Sequence, residues 1–203
     1  MKNTDSEKRP QYIIFAGCNG CGKSTLYEAC KTNFKYPRVN SDQALLSFNG
    51  NWRLQTDRLK ADRITINQIK DYFSKKISFC QETTLCGKSI IKNISKARNE
   101  GYDIHLYYVG VESAEIAKER IRYRVSMGGH GIPDNDVERR YLETVQKMKA
   151  IWPMCDMVVF FDNTESFTYV AYYEDGDFIQ LTPTLPNWIK EIVECYPISR
   201  IIA

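Results

Sequence analysis

The sequence is short of the features that would send it to a membrane, an export route or a nucleic acid. Its 28 lysines and arginines stand against 25 aspartates and glutamates, a surplus of only three positive charges. That balance excludes a nucleic-acid partner held by overall charge and confines any basic patch to one local site. The longest apolar stretches, such as residues 12–16 and 157–161, fall far short of the ~20 residues needed to cross a bilayer. Residues 1–10 are polar and mixed in charge, without the apolar segment of a signal peptide, so they read as a flexible tail and the expected compartment is the cytoplasm. The seven cysteines are odd in number and form no two paired clusters of the kind that hold zinc. Histidine occurs only twice, and internal repeats and low-complexity segments are missing.

What remains is ordinary globular composition, 43% hydrophobic and 26% charged, in a length that suits one domain over residues 11–203. A short apolar run at 11–16 ends in glycine and reads as a buried strand, with a helix expected over 23–32. A brief strand over 37–40 precedes a helix start at Ser41-Asp42. Residues 56–76 repeat Leu59, Ile64, Ile66, Ile69 and Phe73 with helical period, then 77–81 reads as a strand. Helices are expected over 87–99, 113–125 and 134–151, and strands over 102–109 and 156–161. Residues 126–134 hold the glycine-rich break Gly128-Gly129-His130-Gly131, which reads as a small lid. Residues 167–182 alternate around Asp175-Gly176, the signal of a β-hairpin appended to the domain, and 188–193 reads as a closing helix. Strands alternating with helices predict an α/β fold, a parallel sheet of about five strands with helices on both faces plus a C-terminal hairpin. The loop Gly17-Cys18-Asn19-Gly20-Cys21-Gly22-Lys23-Ser24 between the first strand and helix makes it of the P-loop NTPase, nucleotide-kinase-like kind.

The strongest chemical signal is Gly17-Cys18-Asn19-Gly20-Cys21-Gly22-Lys23-Ser24-Thr25, placed between an expected strand and an expected helix. Glycines let backbone N–H groups curl around phosphates, and the helix N-terminus adds a favourable dipole. In this pattern Gly17, Asn19, Gly20, Cys21, Gly22 and Thr25 contact the nucleotide, Lys23 reaches the β- and γ-phosphates, and Ser24 ligates Mg²⁺. The cofactors expected are therefore ATP or GTP with Mg²⁺. Cys18 and Cys21 also spell Cys-x-x-Cys, but the phosphate loop already explains every residue around them. The other cysteines, Cys195 included, read as reduced thiols.

In an open parallel sheet, ligands gather beyond the carboxyl ends of the strands. Asn40-Ser41-Asp42 follows the second expected strand and Gln81-Glu82-Thr83-Thr84 the third, so both are expected to face the crevice of the phosphate loop. Asp42 has two readings, the base that takes an acceptor hydroxyl's proton and the N-cap of a helix. Glu82 reads as an acceptor contact or as a group near Mg²⁺. Asn40, Thr83, Thr84 and His130 complete the expected substrate contacts. Arg120 and Arg124 share a helix face beside the lid and are expected to neutralise the transferring phosphoryl group, within a wider set that includes Arg122, Arg139 and Arg140. His105 reads as a strand residue without a special role. No acidic residue closes a hydrophobic strand as a Walker-B carboxylate would; Asp162 comes last in the sheet and is expected nearer the base than the metal.

The motifs together resemble the zeta-toxin family of P-loop kinases. The resemblance rests on Ile14 to Thr25, Val39-Asn40-Ser41-Asp42, Glu82-Thr83-Thr84-Leu85, Gly101-Tyr102-Asp103, Tyr107 to Val111 and Arg124 to Pro133, in family order. It implies a kinase that phosphorylates the sugar of UDP-N-acetylglucosamine and is held in check by a small antitoxin. It also implies Asp42 as base, Glu82 and Thr84 as acceptor contacts and Lys23 as the γ-phosphate ligand. The pattern departs at His130, where the family has an arginine. Two other readings follow from the residues alone: a kinase for another metabolite or an antibiotic hydroxyl, and a nucleotide-binding regulator without turnover.

Overall fold

The structure, a computed structural model, describes residues 9–194, 196 and 200–201. The expected tail over residues 1–8 and the thiol of Cys195 lie outside them. Arg9 and Pro10 are held: the Arg9 guanidinium donates to the carbonyls of Gly101 and Tyr102, and the Pro10 carbonyl accepts from the Asp103 N–H.

Strand β1 is Gln11–Ala16. Its side chains alternate, so Tyr12, Ile14 and Ala16 enter one apolar core while Ile13 and Phe15 enter another on the opposite face. A strand buried on both faces is the centre of a parallel sheet. After it come α1 (Lys23–Cys30), β2 (Arg38–Val39), α2 (Ser41–Leu46), α3 (Gln55–Ser74), β3 (Phe79–Thr83), α4 (Ser89–Asn99) and β4 (Asp103–Gly110). Then follow α5 (Ala114–Ser126), α6 (Asp134–Ile151), a 3-10 turn Trp152–Met154, β5 (Met157–Asp162), β6 (Thr168–Glu174), β7 (Asp177–Gln180), α7 (Asn187–Val193) and β8 (Arg200–Ile201).

The described strands form one sheet in the order β2-β3-β1-β4-β5-β6-β7-β8. The first five are parallel, as the alternation of strands and helices predicts. The hairpin is present and lies in the same sheet, because β6 pairs antiparallel with β5 rather than standing apart. Its turn places Asp175 at φ 54° and Gly176 at φ 92°, the left-handed pair that an Asp-Gly hairpin needs.

Helices α3, α4, α6 and α7 supply Phe73, Ile94, Met148 and Ile189 to the core on the Tyr12 face. Helices α1 and α5 supply Leu26, Ala117 and Ile121 to the Phe15 face. A small satellite cluster, Ala44, Leu45 and Ala61, joins α2 to α3. The helical period expected in α3 splits between two surroundings: Ile69 and Phe73 are buried, while Leu59 and Ile66 are 51% and 43% exposed and line a cavity. Among the described residues no helix is long and apolar enough to cross a membrane.

Candidate functional site

Register decides what stands beside the phosphate loop. Phe15 pairs with Glu82 and Val39 with Gln81, so Glu82 and Asn40 arrive together at the carboxyl end of the sheet, next to the loop that follows Ala16. Partners in register share a face, and Phe15 points to the face on which α1 packs, through its contact with Tyr27. Glu82 therefore points toward the start of α1. Its Oε1 accepts the Ser24 hydroxyl at 2.7 Å, and its Oε2 accepts from the Asn40 amide at 2.7 Å and from Arg38. Arg38 pairs in register with Cys80, on the same face, and its guanidinium lies 4.0 Å over the Tyr27 ring. Burial raises the pKa of the Glu82 carboxyl, but Lys23, the Ser24 hydroxyl and Arg38 outweigh it and hold the group below its ordinary value.

The loop itself is shaped by close approach. Gly20 and Gly22 have φ of 79° and 107°, and a Cβ on Gly22 would meet the Asn163 amide at 2.6 Å and the Phe167 ring at 2.9 Å. Gly22 caps α1 without a side-chain bond, leaving the first N–H groups of the helix free for an anion. Lys23 is 8% exposed and folds over the loop to donate to the Cys18 carbonyl at 2.7 Å. Burial favours its neutral form, yet Cys21 and Glu82 more than offset this and raise its pKa, so it is held as a cation. Cys18 and Cys21 are buried free thiols beneath the loop. Hydrogen bonding to Cys21 raises Cys18, whereas in Cys21 that bond and the Lys23 ammonium overcome burial and lower the pKa. Among the described residues no group of three or more His, Cys, Asp or Glu is gathered for a metal.

A cavity of about 1500 Å³ runs from this loop past α2 and between α3 and α4. The sequence-expected residues Asn19, Gly20, Gly22, Lys23, Ser24, Thr25, Asn40, Asp42, Glu82, Thr83, Thr84, Arg120, Arg124 and His130 all line it. Gly17 and Cys21 do not; they lie beneath the loop, where a Cβ on Gly17 would meet the Cys21 sulfur at 2.6 Å.

Several expected roles are redistributed. The α2 cap is Asn40, whose Oδ1 accepts from the N–H groups of Asp42 and Gln43, so Asp42 is free of the capping role. Asn40 is itself spent on that cap and on Glu82. Thr83 accepts from the Leu85 N–H at 3.0 Å and fixes the turn in which Leu85 adopts φ 62°. Glu82, expected at this strand end as an acceptor contact or a group near Mg²⁺, sits on Ser24, where a Walker-B carboxylate would act. Asp162 accepts from the Trp188 indole and the Thr164 hydroxyl at 2.8 Å each.

The arginines divide. Arg122 pairs with Asp134 on the surface, and Arg139 with Asp136 and Glu143. Arg120 is tied to the Thr164 carbonyl at 3.0 Å, while its Nη1 and the Nε of Arg124 are buried without a hydrogen-bond partner among the described residues. Arg140 reaches the Asn19 amide oxygen at 3.3 Å. Sequence reasoning passed over Arg38, Asn163 and Phe167. Arg38 was findable, two residues before Asn40 on a strand and hence on its face; Asn163 and Phe167 reach the loop only through the fold.

No protein-family model matches the chain. An uncharacterised protein of Haemophilus influenzae is 34% identical over 129 residues, 64% of this chain and 91% of that protein. A chain of the PezAT chromosomal toxin–antitoxin system of Streptococcus pneumoniae superposes with a TM-score of 0.59 at 16% identity, covering 81% of this chain and 72% of its own. A chain of the AvrRxo1-ORF1:ORF2 structure with ATP gives 0.57 at 14% identity, covering 85% and 60%. The chain belongs to the same family as the Haemophilus influenzae protein, and its fold is the P-loop kinase fold that its motifs predict.

Proposed function

We propose that this chain is a kinase that moves the γ-phosphate of ATP or GTP to a hydroxyl of a small acceptor. The observation that carries the reading is one cavity holding the glycine loop with Lys23 at one end and Asp42, free of its expected capping role, beyond it. The similar fold in an ATP-bound structure supports nucleotide binding here.

The loop N–H groups and Lys23 grip the β- and γ-phosphates, Lys23 exchanging the Cys18 carbonyl for phosphate oxygen. Ser24 and Glu82 suit Mg²⁺: the hydroxyl as a direct ligand and the ionised carboxylate through water, with charge brought by Lys23 and Arg38 kept in balance. When bound, the ion neutralises phosphate charge. Asp42 takes the proton of the acceptor hydroxyl as that oxygen attacks the γ-phosphorus. Arg120, Arg124 and Arg140, with donors unspent or weakly held, neutralise charge that develops on the moving group.

The acceptor proposed is UDP-N-acetylglucosamine. The resemblance to zeta-toxin kinases suggests it, and the cavity suits it, with the exposed cations Lys70 and Lys92 and the exposed apolar Leu59 and Ile66 in its lining. A small antitoxin is the proposed protein partner, a reading supported by the toxin–antitoxin system that shares the fold. The test is incubation with γ-labelled ATP, Mg²⁺ and UDP-N-acetylglucosamine, with Lys23→Ala as blank. Lys23-dependent label on the sugar nucleotide is expected; label that moves only to another hydroxyl compound rejects this acceptor, and nucleotide binding without any transfer rejects the kinase.

A further inference from the structure

His130 lies in the lid between α5 and α6, and its Nε2 stands 3.6 Å from Oδ1 of Asp42. The imidazole is fixed from another side by Trp52, with ring centroids 5.3 Å apart and planes at 61°. The next residue, Gly131, lets the lid come this close: a Cβ there would meet Trp52 at 3.0 Å and Val125 at 2.6 Å. The lid is thus seated on the segment between α2 and α3, and that seating brings the imidazole to Asp42. The imidazole is 23% exposed and the carboxylate 55%. Asp42 is therefore a loosely held carboxylate: Lys23 acts on it from a distance, and the one ion-pair contact within 4 Å among the described residues is carried by the lid.

The charged groups that face the imidazole are Asp42 from α2, Arg58 from α3 and Arg124 from α5. Burial favours the neutral ring, and with the two arginines it outweighs the attraction of Asp42, so the pKa of His130 lies below its ordinary value. At neutral pH the ring is uncharged and has one N–H to give.

We propose that His130 is the positioning residue of Asp42: from 3.6 Å, just outside hydrogen-bond reach, its Nε2–H closes on Oδ1 when the acceptor binds and turns Oδ2 toward the acceptor hydroxyl, so that the base is aligned only while the lid is seated on Trp52. This rests on the reading of Asp42 as the base. In the step it serves, the hydroxyl proton passes to Oδ2 of Asp42 and the acceptor oxygen bonds to the γ-phosphorus. The bond from that phosphorus to the β–γ bridging oxygen breaks, and the nucleoside diphosphate leaves with the electron pair. His130 neither gains nor loses a proton. In acid, imidazolium at this place draws charge from the carboxylate and weakens it as a base, so His130 also sets the acid limb of the reaction.

Two histidines give two imidazole Hε1 signals, and His105→Gln assigns them. In an NMR titration, Asp42→Asn is expected to lower the midpoint of His130 by about half a unit or more, because the anion that favoured its charged form is gone. A midpoint unmoved by Asp42→Asn overturns the pairing. This arm needs no acceptor, so a wild-type protein that transfers nothing counts against the kinase reading and leaves the pairing to be decided by titration. With γ-labelled ATP and UDP-N-acetylglucosamine, His130→Ala is expected to lower kcat about tenfold with KM for ATP unchanged, as misalignment of a base does. His130→Gln, which keeps an N–H near the Nε2 position, is expected to recover most of that loss and to move the acid limb to lower pH. Equal losses in the two variants with the acid limb unmoved would mean a structural role only and overturn the proposal.

Discussion

At the phosphate end of the cavity Lys23, Asn40, Glu82 and Arg38 are nearly buried, and each is tied to the next: Arg38 and Asn40 to Glu82, Glu82 to Ser24, Lys23 to the loop. At the acceptor end Asp42 is half exposed beside one imidazole, Arg124 has a buried donor unspent, and Lys70 and Lys92 are exposed cations. The first region is rigid before any ligand arrives, which suits a ligand whose phosphates are always the same. The second gains its order from the lid and from what it binds. A preorganised site loses activity sharply when one member is removed, whereas an adaptable one loses affinity by degrees.

The sharpest test of that contrast is Lys23→Ala, expected to lower transfer at least ~10³-fold in a γ-phosphate transfer assay, since the charge that stabilises the moving phosphoryl group is lost. Asp42→Asn should separate the two ends: nucleotide affinity, read by a fluorescent ATP analogue, stays within about twofold while transfer falls ~10²–10⁴-fold. A fall in nucleotide affinity as large as the fall in transfer would erase the distinction between the regions.

Glu82→Gln should be felt in stability as well as in rate. It takes one of two carboxylates from the nearly buried Arg38, Glu28 remaining at 3.2 Å, and the lost charged hydrogen bond costs about 1.5–3 kcal/mol, seen as a lowered Tm in thermal unfolding. The pH dependence has a definite sign. The folded carboxyl lies below its ordinary value, so its stabilisation is complete above the unfolded pKa of about 4.3 and fades as pH falls through the folded one. In wild-type protein the Tm should therefore decline below about pH 4.3, and the decline should be shallower in Glu82→Gln.

The same contrast explains what the sequence disclosed. The glycine loop is a run of adjacent residues whose purpose follows from local backbone geometry, and the central strand is a run buried on both faces, so both were legible directly. The parallel pairing of the first strands followed from their alternation with helices, and the α6 span, Asp134–Ile151, from helical period. Glu82 was placed at the right strand end, but its pairing with Ser24 depends on a register between strands more than 60 residues apart in sequence, which no local pattern encodes. Thr83 and Asn40 line the cavity as expected of ligand contacts, and they also accept from backbone N–H groups, because polar residues at strand ends serve both caps and substrates. Leu59 and Ile66 carried the helical period of a core stripe, yet α3 runs past the core and turns them to the cavity.

The mildest effect belongs to the far end of the acceptor region. Lys92 lies on α4 facing the cavity, across from Lys70 on α3, and both are exposed, whereas Lys96 is engaged by Glu100 at 2.9 Å. An exposed cation attracts a phosphate at long range but holds no fixed geometry, so it binds ground state and transition state alike. Lys92→Ala is accordingly expected to raise KM for UDP-N-acetylglucosamine about three- to tenfold while kcat and KM for ATP stay near wild type, and Lys70→Ala to do less. Raising the salt should shrink the difference between wild type and Lys92→Ala, because the screened charge no longer helps either step. A variant that instead lost kcat would place Lys92 among the aligned groups and move the border between the rigid and adaptable regions to the far end of the cavity.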